Sequence, residues 1–150
     1  MAKKQKEIAV KAGIIPFYRR PDGTVIMQFM VSSDARYGGA APQLSKGNID
    51  PGEDVMTAAL REGHEELGLK ESNIIANQMR VVHEGLFELK STSYDMTIFA
   101  AEVIDLSDFV DPHFETAYPV WMTRAQFAKY GRKQHREIVE RAFQLVDDSQ

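Results

Sequence analysis

The stretch from residue 53 to residue 68, EDVMTAALREGHEELG, constrains the fold most, because its apolar residues recur at the spacing of one helix face. Six residues form the stripe that should face a core: Val55, Met56, Ala59, Leu60, Gly63 and Leu67. Gly68 stands where a helix commonly ends, since glycine accepts a left-handed backbone without strain. The sequence therefore predicts a helix from about Glu53 to Leu67 that packs by one face against a larger core.

The same helix carries three glutamates, Glu62, Glu65 and Glu66, in one arc beside the apolar stripe. No lysine separates them, Ala58 leaves space within the arc, and His64 points elsewhere. Carboxylates at this spacing repel one another by roughly a few tenths of a kcal/mol per pair. A charged face in solvent is the ordinary explanation. A bound divalent cation is the alternative that removes the repulsion, and oxygen ligands favour Mg²⁺, or Mn²⁺, over zinc.

The chain has 150 residues, a formal net charge of −4 and no cysteine. Residues 1–150 are expected to form a single domain. The acidic balance argues against a stable nucleic-acid partner, and neither a signal peptide nor a membrane-spanning run is expected. The lack of cysteine excludes disulfides, zinc–thiolate sites and a cysteine nucleophile, and it is compatible with the cytoplasm, the expected location. Whether the chain forms a homodimer stays open.

The remaining segments alternate between strand and helix patterns. Residues 8–31 read as a hairpin around a Pro-Asp-Gly turn, and residues 81–89 and 94–103 as two strands around a short turn. Loops are expected at 32–43 and 105–117, a short strand at 119–122, and a helical end that Gly131 divides. This order predicts an α/β domain with a mixed β-sheet between helices.

The segment GNIDPGEDVMTAALREGHEELGL (47–69) resembles the Nudix box, G-x5-E-x7-R-E-U-x-E-E-x-G-U, where U is aliphatic. All seven fixed letters are present at the right spacing: Gly47, Glu53, Arg61, Glu62, Glu65, Glu66 and Gly68. Leu69 fits the last aliphatic position, whereas Gly63 departs from the first one. We expect Gly63 to let a strand or a bulky side chain approach the helix closely. The resemblance implies a Nudix-type α/β/α sandwich.

The resemblance also implies an activity, the hydrolysis of a nucleoside diphosphate linked to another group by attack of water at phosphorus. It assigns divalent-metal ligation to Glu65 and Glu66, helped by Glu62 and by the carbonyl of Gly47. Arg61 would orient a carboxylate, Glu53 or Glu62, rather than touch the substrate. The alternative is a catalytically silent Nudix-fold module that binds nucleotides or regulates, although the complete set of glutamates argues against it. An isomerase on the same fold would need a cysteine.

The substrate is less constrained. The stretch QLSKGN (43–48) is similar to the PKGH stretch of diadenosine polyphosphate hydrolases, so Lys46 would lie beside a phosphate chain; a loop lysine in solvent is the alternative. Several segments are also similar to the small Nudix enzymes of T-even-like bacteriophages, which implies ADP-ribose and diadenosine polyphosphates as substrates, in a phage-infected host cell. An aromatic ring could stack on the base. Tyr37 is the substrate-binding candidate, and the others are Phe17, Tyr18 and Phe87. For each of these rings the alternative is an ordinary place in the core or on the surface.

Family members often add a late carboxylate as a further metal ligand or as the base that takes the water's proton. Glu115 is the preferred candidate, because it stands six residues before Trp121 in FETAYPVW, and a solvated loop acid is the alternative. With it, the catalytic candidates are Glu53, Arg61, Glu65, Glu66 and Glu115. Seven other acids compete for this role: Glu84, Glu88, Asp95, Glu102, Asp105, Asp108 and Asp111. His83, His135 and Trp121 are expected to be ordinary surface or core residues, and His113 lies near Glu115.

Overall fold

The computed structural model describes residues 8–34, 36, 39–112 and 116–148. The predicted hairpin is confirmed: β1 (Ala9–Arg19) pairs antiparallel with β2 (Val25–Ser32) across a turn in which Gly23 has a φ of 89°. Asp22 closes this turn by accepting a hydrogen bond from the backbone N–H of Thr24 at 2.9 Å. The Pro-Asp-Gly signal therefore predicted the turn correctly.

The six strands form one sheet in the order β4-β5-β1-β2-β6, with β3 paired to β1 beside this path. The four further strands are β3 (Ser45–Asn48), β4 (Ile74–Glu88), β5 (Ser93–Val103) and β6 (Thr116–Met122). Only the pair of β1 and β5 is parallel among these described pairings, and the sheet is therefore mixed.

Helices cover both faces of the sheet: α1 (Val55–Leu67) on one, and α2 (Arg124–Tyr130) with α3 (Arg136–Asp148) on the other. Side chains alternate along β1, so that Ala12 and Ile14 join the core on the α1 side while Ile15 and Phe17 join the core on the α2–α3 side. The predicted α/β/α sandwich is confirmed. No helix in the described part of the chain is long and apolar enough to cross a membrane.

Helix α1 begins and ends as its sequence dictates. Asp54 is the N-cap and accepts a hydrogen bond from the N–H of Thr57 at 2.7 Å, and Gly68 closes the helix with a φ of 74°. A Cβ placed on Gly63 would lie 2.6 Å from Cγ2 of Ile14 on β1. The expectation that Gly63 admits a close side chain from a strand is confirmed.

The predicted orientation of α1 is partly wrong. Met56 was expected in the core and is 42% exposed, whereas Ala58 is fully buried and Glu66 is only 7% exposed. The helix meets the sheet through its small residues, Ala58, Ala59 and Gly63, because these allow the closest approach. The acidic arc is therefore partly enclosed between α1 and the sheet instead of lying beside the contact.

Three boundaries differ from the prediction. Residues 45–48 form β3 although SKGN contains no β-branched or aromatic residue, because pairing with β1 holds them extended. Strand β4 begins at Ile74 rather than at 81, and β6 begins at Thr116 rather than at 119. The division at Gly131 is confirmed, since α2 ends at Tyr130 with Gly131 as its C-cap and α3 begins at Arg136.

Candidate active site

Strand β3 and helix α1 bring the glutamates against the strand. Ser45 donates a hydrogen bond through Oγ to Oε1 of Glu66 at 3.1 Å. Gly47 lies so close to the carboxylate of Glu62 that a Cβ on residue 47 would overlap it. Glycine at position 47 therefore leaves room for the carboxylate of Glu62 in its present position.

Arg61 holds the acidic residues that surround it. Its Nε and Nη2 donate to the two carboxylate oxygens of Glu53 at 2.8 and 3.0 Å, which is a bidentate pair. Its Nη1 donates to Glu62 at 3.0 Å and to Glu65 at 3.4 Å. Nη2 also donates to the carbonyl of Asn48 at 2.9 Å. These bonds fix the guanidinium between α1 and the end of β3.

The pKa values follow from these contacts. The hydrogen bonds from Arg61 lower the pKa of Glu53. Burial raises the pKa of Glu62, and the charge of Glu65 acts in the same direction, while the bond from Arg61 opposes both. A carboxylate that loses solvent in this way is stabilised in its charged form by a nearby cation.

The glutamates line a cleft of about 600 Å³. Its lining includes Glu62, Glu65 and Glu66 together with Asp50 and Gly47. Its lining also includes four cationic side chains and one aromatic ring: Lys11, Arg36, Lys46, Arg132 and Tyr94. One cavity thus combines a group of carboxylates with a group of cations.

Residues 9–142 match the family model described as the NUDIX domain. The chain belongs to the Nudix family. As a Nudix hydrolase, it is an enzyme that acts on phosphoric anhydride bonds. A comparison with curated protein sequences gives no match.

Solved Nudix structures share the fold. The binary complex of a C. elegans Ap4A hydrolase aligns with a TM-score of 0.75 at 18% identity, covering 94% of this chain and 99% of that one. RenU, a Nudix hydrolase of M. smegmatis, gives 0.73 at 20% identity and covers 94% and 86%. The NUDIX domain of Shewanella oneidensis NrtR, complexed with ADP ribose, gives 0.76 at 12% identity and covers 95% and 90%. At such identities the likeness establishes the fold.

The donor chemistry of this Nudix cleft fits a hard divalent cation, because several carboxylates line it. Among the residues that the structure describes, however, no three acidic or histidine side chains converge closely enough to hold an ion. Glu62 and Glu65 turn towards Arg61 instead. Metal ligation by Glu62, Glu65, Glu66 and Gly47 stays a prediction that requires these side chains to rotate.

Lys46 lies in the cleft of the Nudix domain rather than in open solvent. Burial lowers the pKa of Lys46 to about 8, and the neighbouring charges of Lys11 and Arg132 contribute, while Glu66 and Glu62 oppose the change. The position is compatible with a phosphate-binding role, which also stays a prediction.

Three residues named above are outside the part of the Nudix chain that the structure describes: Tyr37, His113 and Glu115. Among the described late acids, none lines the cleft. Asp105 closes a turn by accepting from the N–H of Ser107 at 2.8 Å, and Asp108 pairs with Lys70 at 2.7 Å. The role of Glu115 as the base therefore stays a prediction, and no described late acid takes its place in the cleft.

The proposed base-stacking residues have different environments. Phe17 and Phe87 are 2% and 8% exposed and belong to the core, so they offer no open face to a base. Tyr18 is partly buried and packs against the core on the α1 side of the sheet. The interpretation of these rings as core residues is therefore the correct one for Phe17 and Phe87.

Several residues of the cleft were not singled out in the sequence as site residues, among them Lys11, Asp50, Tyr94 and Arg132. Lys11 and Tyr94 meet because β1 and β5 pair in parallel, with Ala9 opposite Tyr94. A parallel pairing between distant segments leaves no local signal. Asp50 lies within the recognisable box, and its position between Gly47 and Glu53 was the one available hint.

Proposed function

We propose that this Nudix hydrolase is a metal-dependent pyrophosphohydrolase that cleaves a nucleoside diphosphate linked to another group. The observation that carries the proposal is one cleft whose lining includes Glu62, Glu65 and Glu66 together with a set of cationic side chains. A phosphate chain needs both groups, because the carboxylates can hold metal ions and the cations can bind phosphate oxygens directly.

In this reaction a water oxygen bonds to phosphorus, the anhydride P–O bond breaks, and the leaving phosphate takes up the electron pair. Mg²⁺ or Mn²⁺, held by Glu62, Glu65, Glu66 and the carbonyl of Gly47, would stabilise charge on the phosphates and lower the pKa of the water. Arg61 fixes Glu53 and restrains Glu62. Glu115 is the proposed acceptor of the water's proton, or a further ligand.

The favoured substrates are ADP-ribose and diadenosine polyphosphates. The similarity of the Lys46 stretch to diadenosine polyphosphate hydrolases supports the second, and the place of Lys46 in the cleft agrees with it. Structural neighbours include an Ap4A hydrolase and a NUDIX domain complexed with ADP ribose, which makes both worth assaying. The cytoplasm, or the cytoplasm of a phage-infected host, is the proposed location.

The activity is tested by phosphate release from ADP-ribose and from diadenosine tetraphosphate in the presence of an added phosphatase, with Mg²⁺, Mn²⁺ or a chelator. We expect turnover with metal and little with the chelator. Glu66→Gln should lower kcat at least about 10²-fold, because the variant loses the negative charge that would hold the metal. The amide oxygen can still accept the hydrogen bond from Ser45, so the local structure should be kept.

The matched control is Glu71→Gln, which removes an exposed carboxylate on a separate turn. It should retain the wild-type rate. Equal turnover by Glu66→Gln and wild type would contradict the proposed metal site. Tight nucleotide binding without any turnover would instead favour the silent binding module.

A further inference from the structure

Three cations of the cleft come from separate parts of the fold: Lys11 from β1, Lys46 from β3 and Arg132 from the connection between α2 and α3. Each is partly buried, and none forms an ion pair with a carboxylate within the described ranges. Like charges gathered in a partly desolvated space raise the free energy of the folded protein. An anion that enters the cleft would remove this repulsion.

Tyr94 lies among these three cations. The Nζ atom of Lys11 is 4.3 Å from the centre of its ring, and that of Lys46 is 5.4 Å away. Arg132 lines the same cleft as Tyr94. The ring therefore helps to hold the ammonium groups together and restricts their movement.

Arg132 is built into the site rather than extended from the surface. Its backbone N–H donates to the carbonyl of Pro42 at 2.8 Å, and its Nη1 donates to Oε1 of Gln43 at 3.2 Å. Leu44, which follows Gln43, donates its N–H to Nδ1 of His135 at 3.1 Å. The connection between α2 and α3 thus contacts the three residues that lead into β3, and it fixes Arg132 beside Lys46.

The alternation of side chains along β3 separates the two halves of the cleft. Ser45 and Gly47 face α1, where they contact Glu66 and Glu62. Lys46 points to the other side of the strand, towards Tyr94. A ligand that reached the carboxylates and the cations together would therefore span both halves of this one cleft and carry negative charge along its length.

We infer that Lys11, Lys46 and Arg132 form a second phosphate site, so that the favoured substrate class is a nucleoside with a chain of at least three phosphates. This inference rests on the proposed function for the chemistry at the carboxylates and adds the specificity of the cationic side. A diphosphate joined to a sugar supplies two charged groups to the carboxylate side and places a neutral ribose near the cations. A longer chain places phosphate there and offsets their charge.

The first test measures binding without catalysis. Inorganic tripolyphosphate is titrated calorimetrically into the full chain without metal, for wild type and for three variants, each of which removes one positive charge. Arg132→Gln and Lys11→Gln should each weaken binding about tenfold, since each removes a charge-assisted contact. Lys133→Gln is the matched control, because Lys133 is exposed and adjacent to Arg132 but is not part of the cleft lining. It should bind as wild type does.

Two results would overturn the inference: equal binding by wild type and Arg132→Gln, or an equal loss in Lys133→Gln and Arg132→Gln, which would mean non-specific attraction. Thermal unfolding of each variant excludes a folding defect, and Lys11→Gln, on a different element, tests the site independently of the bond between Arg132 and Gln43.

The second test compares substrates with metal present. Arg132→Gln should lower kcat/KM for diadenosine tetraphosphate at least about fivefold more than for ADP-ribose. An equal loss on both substrates would contradict a site for the longer chain. If wild type cleaved neither substrate, the proposed function would be wrong. The binding of tripolyphosphate would still test whether Lys11, Lys46 and Arg132 form a phosphate site.

Discussion

At the scale of single residues, glycines decide how closely the parts of the site can pack. Gly47 leaves room for the carboxylate of Glu62, and Gly63 leaves room for Ile14 of β1. The two glycines have different standing in the sequence: Gly47 is a fixed letter of the Nudix box, and Gly63 replaces an aliphatic residue. Both nevertheless bring α1 close to the sheet.

Gly63→Ala should destabilise the fold by about 1 kcal/mol. Alanine favours a helix over glycine by about 1 kcal/mol, but overpacking costs about 1–3 kcal/mol, and the new Cβ would lie 2.6 Å from Cγ2 of Ile14. Urea unfolding measures the difference. Ile14→Ala removes the opposing atom, so the double variant should lose less stability than the sum of the single losses. A more stable Gly63→Ala variant would show that Ile14 moves away freely.

At the scale of elements, the sequence predicted those with a strong local pattern. The hairpin of β1 and β2 and the helix α1 carry turn and capping residues, Asp22, Gly23 and Gly68 among them, and the structure has them as predicted. Strand β3 was missed because its extended form depends on hydrogen bonds to β1 rather than on its own residues. The carboxylates of the site could be found from the sequence because they lie in one local motif. Lys11, Tyr94 and Arg132 come from separate elements, and only the tertiary structure brings them together.

His135 shows how one element supports another. It is fully buried, its Nδ1 accepts from Leu44, and its Nε2 has no hydrogen-bond partner among the described residues. Since Nδ1 accepts, the neutral ring carries its proton on Nε2. Burial places the pKa of His135 well below 6.5, and the charges of Lys46 and Arg132 act in the same direction. The ring therefore stays neutral in the folded protein.

The lowered pKa of His135 makes the folded protein less stable at low pH. Below a pH near 6.5 the unfolded chain binds a proton at His135 that the folded chain does not. The free energy of unfolding therefore decreases as the pH is lowered, by at most about 1.4 kcal/mol per pH unit. His135→Asn keeps an acceptor near the position of Nδ1 and cannot titrate. Urea unfolding at about pH 7.5 and about pH 5.5 should show a smaller loss on acidification in the variant than in wild type. Equal losses would mean that His135 accepts a proton within the fold.

At the scale of the whole molecule, the cleft stores electrostatic repulsion on both of its sides. Glu62, Glu65 and Glu66 crowd one side, where Arg61 contacts Glu62 and Glu65. Lys11, Lys46 and Arg132 crowd the other. Each side raises the free energy of the empty protein and makes the binding of an opposite charge more favourable. The sandwich can bear this repulsion because two cores, one on each face of the sheet, hold the site from both sides.

The acidic side can be tested without any substrate. Mg²⁺ that binds the folded chain alone should raise its thermal stability, by about 2.7 kcal/mol when its concentration is a hundred times Kd. The double variant Glu65→Gln with Glu66→Gln should lose most of this shift. It should also be at least as stable as wild type in a chelator, because two repelling charges are gone and the amide oxygen introduced at position 66 can still accept from Ser45. Differential scanning calorimetry with and without Mg²⁺ gives both quantities. A double variant that is less stable than wild type in the chelator would mean that these carboxylates serve the fold rather than a metal, and an unchanged Mg²⁺ shift would move the metal site away from Glu65 and Glu66.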